Sequence, residues 1–216
     1  MTTFADLKAN CPAWPDYTRH AFVRQLGDGT LAKASFQHYL KQDYLFLLQF
    51  TRAWALAVYK SDSFAQMRAG QAGINAMLDM EIALHIDYCA EWGISEAELQ
   101  HVPESAACVA YTRYVLDCGM TGGLAELYAA LLPCIYGYAE IGRELAAQPA
   151  VADNPYQAWI DMYSSDEFFA SADASRQMFD DLAKDVSPTQ AARLQHIFDT
   201  ATRMEVAFWQ MGLDLS

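Results

Sequence analysis

Residues 31–59 read LAKASFQHYLKQDYLFLLQFTRAWALAVY. Tyr39, Asp43, Phe46, Phe50 and Trp54 recur in this stretch at steps of three and four, which places them on one side of a long α-helix. Upstream, Gly27-Asp28-Gly29 ends a first helix near residues 17–26, and its two glycines suit a turn that needs positive φ. Downstream, Asp62 or Ser63 caps a third helix that continues to Glu91-Trp92-Gly93, and Ser95 with Glu98 has capping-box spacing for a short turn. Helices near 104–118, 121–147, 154–163 and 172–185 follow. Ser187-Pro188-Thr189-Gln190 then opens a last helix, reaching about Met211, with a hydroxyl cap, proline at the first helical position and Gln three residues after the cap. Apolar alternation bounded by hairpin turns is missing throughout, so the expected fold is all-α: one helical bundle over residues 1–216, without repeats or low-complexity linkers.

Composition narrows the function. Hydrophobic residues are 53% and charged residues 19%, enough apolar side chain to fill a core and too much for disorder. A formal charge of −13, with no basic run to offset it locally, repels phosphate backbones and anionic lipid, so neither nucleic acid nor a membrane is expected as a partner. The opening residues lack a basic stretch followed by an uninterrupted apolar one, and no segment approaches the roughly 20 apolar residues that span a bilayer; the expected location is the cytoplasm. Cys11, Cys89, Cys108, Cys118 and Cys134 are odd in number and contain no CxxC pair, which fits free thiols rather than disulfides or structural zinc.

Three helices carry a reactive or ionisable group on an otherwise apolar face. Asp43 sits in the stripe of residues 39–54, Glu205 lies among Phe198, Ala201, Phe208 and Trp209, and Cys134 falls between Leu127, Leu131 and Tyr138. A carboxylate buried without partners costs several kcal/mol or shifts its pKa upward, so the two inward carboxyls mark either structural hydrogen bonding or a polar pocket. Pro133, inside its helix, removes a backbone hydrogen bond beside Cys134. Glu81 and His85, at i and i+4, have the spacing of two metal ligands, with Glu126, Glu140 and His38 as possible further donors, although the paired Glu-x-x-His signature is absent. Neither a P-loop, a dinucleotide fingerprint nor HExxH occurs, and no cofactor or metal is expected.

Taken together, the blocks GDGTL at 27–31, F-x-x-Y-L-x-Q-D at 36–43, EIALH at 81–85, YTRY at 111–114, AALLPCIYGYAEIG at 129–142, Y-x-x-W-I-x-x-Y at 156–163 and E-x-x-F-W at 205–209 resemble the TenA family, thiaminase II, of the heme-oxygenase-like fold. The resemblance implies an aminopyrimidine aminohydrolase of thiamin salvage. Such an enzyme converts 4-amino-5-aminomethyl-2-methylpyrimidine to the hydroxymethyl pyrimidine and can cleave thiamin by the same chemistry. It implies Cys134 as nucleophile, Glu205 as the acid that serves the leaving amine and then activates water, and Asp43 as the acceptor for the 4-amino edge. Tyr111, Tyr138, Tyr163, Phe46 and Phe208 would line the pyrimidine site, and the assembly would be a homotetramer.

Two positions depart from the family pattern. Phe46 stands where a tyrosine hydroxyl assists the cysteine, and Tyr136 stands where tryptophan is frequent after the LPC block. Two alternatives remain open on the sequence: a metal-dependent oxygenase or oxidase built on Glu81 and His85, and a non-catalytic pyrimidine-binding protein.

Overall fold

The computed structural model describes residues 2–216. Helices supply all the regular structure among them: α1 (Phe4–Ala9), α2 (Trp14–Thr18), α3 (Ala21–Gly27), α4 (Lys33–Tyr59), α5 (Phe64–Asn75), a π-helical turn (Ala76–Glu81), α6 (Ile82–Glu91), α7 (Glu96–Leu99), α8 (Ala106–Thr121), α9 (Leu124–Ala146), α10 (Gln157–Ser164), α11 (Asp166–Ala183) and α12 (Pro188–Asp214).

The caps sit largely where the sequence places them. The Ser63 and Ser95 hydroxyls accept the N–H groups of Gln66 and Glu98, with those side chains bonding back to the cap residues. Ser187 caps α12 through the N–H of Gln190, and Pro188 occupies the first turn without losing an intrahelical bond. At the start of α9, the Glu126 carboxylate accepts the Gly123 N–H at 3.0 Å.

Four expectations need correction. The helix expected over 17–26 is two helices, because His20 adopts an extended ψ of 154° and its Nδ1 caps α3 by accepting the Phe22 N–H; α1 precedes them and was not expected. The helix expected to run unbroken from 62 to 91 changes winding over Ala76–Glu81. Helix α11 starts at Asp166, six residues before the expected 172, because Ser165 caps it by accepting the Phe168 N–H at 3.1 Å. Of the two glycines in Gly27-Asp28-Gly29, Gly29 alone, at φ 75°, uses the left-handed region; Gly27 closes α3, and a Cβ there would lie 2.5 Å from Leu145 Cδ2.

Helix α9 is the axis of the bundle. Alanines and leucines on every side bury it almost completely, and α8, α10, α11 and α12 pack around it, as expected of a helix apolar all round. It runs without a break through Pro133, whose carbonyl accepts the Tyr17 hydroxyl at 3.1 Å. Helix α4 crosses the other side, in contact with α5, α6, α8 and α12. Cys134 on α9, Glu205 on α12 and Asp43 on α4 therefore converge from three directions on one interior region. Among the described residues no helix is long and apolar enough to cross a membrane.

Candidate active site

Cys134 is buried beside the buried Glu205 carboxyl, which accepts the Tyr111 hydroxyl on Oε1 at 2.8 Å. Burial, together with the carboxyls of Glu205, Glu81 and Asp43, pushes the Cys134 thiol well above its ordinary pKa. Burial raises Glu205 to about 8, against the opposing pull of the Tyr111 hydrogen bond. The hydroxyls of Tyr111, Tyr138 and Tyr163 are likewise held well above the usual phenol range, by burial first and then by Glu205 beside Tyr111, Tyr39 beside Tyr138 and Glu81 beside Tyr163.

Asp43 forms the second centre. Its Oδ2 accepts the Tyr39 hydroxyl at 3.0 Å and lies 2.7 Å from His85 Nε2. Trp159 Nε1–H donates to the Tyr39 oxygen at 3.3 Å, and the Tyr138 hydroxyl is 3.4 Å from it. The Tyr163 hydroxyl donates to Glu81 Oε2 at 2.9 Å. Burial and the Asp43 charge raise Glu81 to about 7.

Aromatic rings join these centres. Tyr138 lies 5.0 Å from Tyr163 and 5.2 Å from Trp209, centroid to centroid, while Phe46 lies 5.0 Å from Tyr111 and 5.4 Å from Phe208. A narrow pocket opens against this network, walled by Cys134, Ile135 and Tyr138 from α9, Glu81 and Met77 from the π-helical turn, Trp54 from α4 and Phe168 from α11.

All eight residues expected at the site belong to this contiguous group. Cys134 and Tyr138 face the pocket, while Asp43, Glu205, Tyr111, Tyr163, Phe46 and Phe208 stand behind or beside them. Tyr136, the second departure from the family pattern, lies instead against Phe4 and Phe169, 4.6 and 6.0 Å away. Sequence reading assigned no role to Tyr39, although it stood in the Asp43 stripe, and it treated Glu81 and His85 as a possible metal pair. Their i, i+4 spacing was visible; their partners, Tyr163 and Asp43, come from other helices.

Those partners leave, among the described residues, no ligand cluster of the kind the Glu81 and His85 spacing suggested. His85 is engaged by Asp43 and by the Glu81 carbonyl, Glu140 binds Lys8 and Trp14, and Glu126 caps α9. His38 is held near the C-terminus by the Ser216 carbonyl. Among the described residues, no three His, Cys, Asp or Glu side chains gather as ligands of one metal ion.

The TENA/THI-4/PQQC family model matches residues 7–215 of the chain. The aminopyrimidine aminohydrolase of Halalkalibacterium halodurans is 41% identical over 202 residues, which cover 93% of this chain and 90% of that protein. The aminopyrimidine aminohydrolase of Helicobacter pylori is 36% identical over 200 residues, 92% of each chain. A TenA family transcription regulator from Silicibacter sp. TM1040 superposes with a TM-score of 0.92 at 45% identity, covering 97% of this chain and 96% of that one. A Shewanella denitrificans domain with a heme oxygenase-like fold shares the architecture alone, at 12% identity and a TM-score of 0.65 over 98% of this chain and 87% of that one. With the match running nearly end to end in sequence and in fold, the chain belongs to the TENA/THI-4/PQQC family and has its all-α, heme-oxygenase-like bundle.

Proposed function

We propose that the protein is an aminopyrimidine aminohydrolase of thiamin salvage that uses Cys134 as its nucleophile. The observation that carries this reading is Cys134 on the wall of a pocket shared with Trp54, Tyr138 and Phe168, with the buried Glu205 carboxyl beside the thiol. The curated relatives named aminopyrimidine aminohydrolase support the substrate class.

The Cys134 thiol, the Glu205 and Glu81 carboxyls and the Tyr138 phenol are each shifted in the direction that disfavours negative charge. Such a site gains most from a cation, which relieves the repulsion and lets Glu205 ionise. An aminomethylpyrimidine supplies one as its side-chain ammonium, and thiamin supplies one as its thiazolium.

The proton inventory then closes. Cys134 Sγ bonds to the ring carbon adjacent to the one bearing the exocyclic methylene, and the thiol proton passes to the Glu205 carboxylate. Ring electrons, pushed from the 4-amino group, form an exocyclic double bond and break the carbon–nitrogen bond, so that the ammonium departs as ammonia. Ammonia takes the thiol proton that Glu205 held and leaves as ammonium. Water then adds to the exocyclic methylene with the Glu205 carboxylate accepting its proton, the carbon–sulfur bond breaks as the ring regains its aromaticity, and Glu205 passes that proton to the sulfur.

Asp43 accepts hydrogen bonds from the 4-amino edge, where positive charge gathers as the amine leaves. Tyr138 and Tyr163 hold the ring, Tyr111 holds Glu205, and Phe46 and Phe208 complete the apolar wall that keeps bulk water out. Tyr59, Phe64 and Met67, apolar side chains left exposed beside one another around the α4–α5 turn, support self-association, for which we propose a tetramer.

The test supplies purified protein with the aminomethylpyrimidine and, in parallel, with thiamin, and follows ammonia, thiazole and pyrimidine products by mass. The expected result is one hydroxymethylpyrimidine per ammonia. Tight binding without turnover of either compound would replace the hydrolase with a non-catalytic pyrimidine-binding protein.

A further inference from the structure

His85 takes no part in the chemistry above, yet it is fully buried at the centre of the site. Its Nδ1 lies 2.7 Å from the backbone oxygen of Glu81, and its Nε2 lies 2.7 Å from Asp43 Oδ2. A carbonyl oxygen only accepts, so Nδ1 carries a hydrogen. The Nε2 to Oδ2 contact needs a proton of its own, because two lone pairs at that distance would repel. The pair thus holds one proton more than a neutral imidazole beside a carboxylate.

Tyr39 donates to the same oxygen, Oδ2, at 3.0 Å. Among the described residues none donates to Oδ1. Nor is Oδ1 a sealed atom: the unpartnered buried side-chain polar atoms among the described residues are the indole nitrogens of Trp54 and Trp209. The two oxygens of Asp43 are therefore divided, Oδ2 held by protein groups and Oδ1 without a donor among the described residues.

We propose, on the functional reading above, that His85 is the positioning residue for pyrimidine recognition. As an imidazolium it holds Asp43 as a carboxylate through Oδ2, so that Oδ1 is kept as the acceptor for the 4-amino group. A preset carboxylate costs no reorganisation when the amine leaves and positive charge gathers at the 4-amino edge. The titratable groups around the pair are Tyr39 from α4, Glu81 from the π-helical turn, Cys108 from α8, Cys134 and Tyr138 from α9, Tyr163 from α10 and Glu205 from α12. Burial by itself would depress the His85 pKa, but the hydrogen bond and charge of Asp43, with a smaller part from Glu81, raise it above the ordinary value. The π-helical turn ends at Glu81, so the winding change at Ala76–Glu81 leads directly into the turn that carries both Glu81 and His85.

The test is calorimetric binding of 4-amino-5-hydroxymethyl-2-methylpyrimidine and of its counterpart lacking the 4-amino group to wild type, His85→Gln and His85→Leu. Wild type should prefer the 4-amino compound. His85→Leu should lose roughly tenfold or more of that preference while keeping its affinity for the deamino compound. His85→Gln, whose amide nitrogen can donate from near the Nε2 position, should recover part of it. Parallel weakening of both ligands, or an unchanged preference, would overturn the proposal and leave His85 as packing. A wild type that binds neither pyrimidine removes the functional reading itself, a result distinct from any difference among variants. Nitrogen-15 NMR of wild type gives a check that no variant's folding can spoil: both His85 ring nitrogens should be protonated at neutral pH, and a single protonated nitrogen, with the other free, would contradict the imidazolium.

Discussion

Replacing Tyr111 with Phe removes one hydrogen bond, the 2.8 Å contact to Glu205 Oε1, and keeps the ring that packs on Phe46. A hydrogen bond to a charged group has a net value of roughly 1.5–3 kcal/mol, and each pKa unit corresponds to about 1.36 kcal/mol. The bond favours the ionised carboxyl, so its loss should move Glu205 upward by about one to two units from its value of about 8. The proposed reaction draws on the carboxylate, so activity is present above this pKa and is lost as pH falls through it. Profiles of kcat/KM report the free enzyme, and the acid limb of Tyr111→Phe should lie about one to two units to the alkaline side of wild type. At neutral pH this lowers kcat/KM by about 10- to 100-fold, and much of the loss should return as pH rises. The assay is initial ammonia release at low substrate concentration across the neutral to alkaline range, with thermal unfolding of both proteins alongside. An acid limb that stays in place, or moves to lower pH, would refute the argument, since a simple packing defect lowers the whole profile without shifting it.

Two further substitutions probe the surroundings. Phe46→Tyr places a hydroxyl beside Tyr111 and Phe208; if it reaches the Cys134–Glu205 pair, kcat/KM should rise about fivefold, the equivalent of about one hydrogen bond, and steady-state kinetics showing no rise would separate Phe46 from thiol activation. Gly142→Ala introduces a Cβ 2.4 Å from the carbonyl carbon of Tyr163, so α9 and α10 must separate at a cost of about 1–3 kcal/mol. Thermal unfolding should record a lower Tm together with a raised KM, because Tyr163 moves with its helix; an unchanged Tm would show that the two helices are not so closely packed.

Local signals carried much of this fold into view. The three- and four-residue steps of residues 39–54 and the capping triads at Ser63, Ser95 and Ser187 depend on neighbours in sequence, and they survive in the structure as α4 and the starts of α5, α7 and α12. The break at His20 and the π-helical turn at Ala76–Glu81 were hidden because apolar spacing continues across both. What differs there is backbone geometry, set by one histidine cap and by how the turn packs against α4. In the site, inward carboxyls at Asp43 and Glu205 could be read from their apolar stripes. Which donors satisfy them could not: His85 reaches Asp43 across 42 positions and Tyr111 reaches Glu205 across 94. A spacing that looked suited to metal proved to be two separate hydrogen bonds to other helices.

The central claim is that hydrolysis passes through the Cys134 sulfur. Wild type and Cys134→Ala, both shown to be folded by circular dichroism, are incubated with the aminomethylpyrimidine in oxygen-18 water, and ammonia and the labelled hydroxymethyl product are counted together. Wild type should form one labelled alcohol for each ammonia, and the alanine variant should form neither while still binding the pyrimidine. Turnover by Cys134→Ala at a rate near that of wild type would contradict the account.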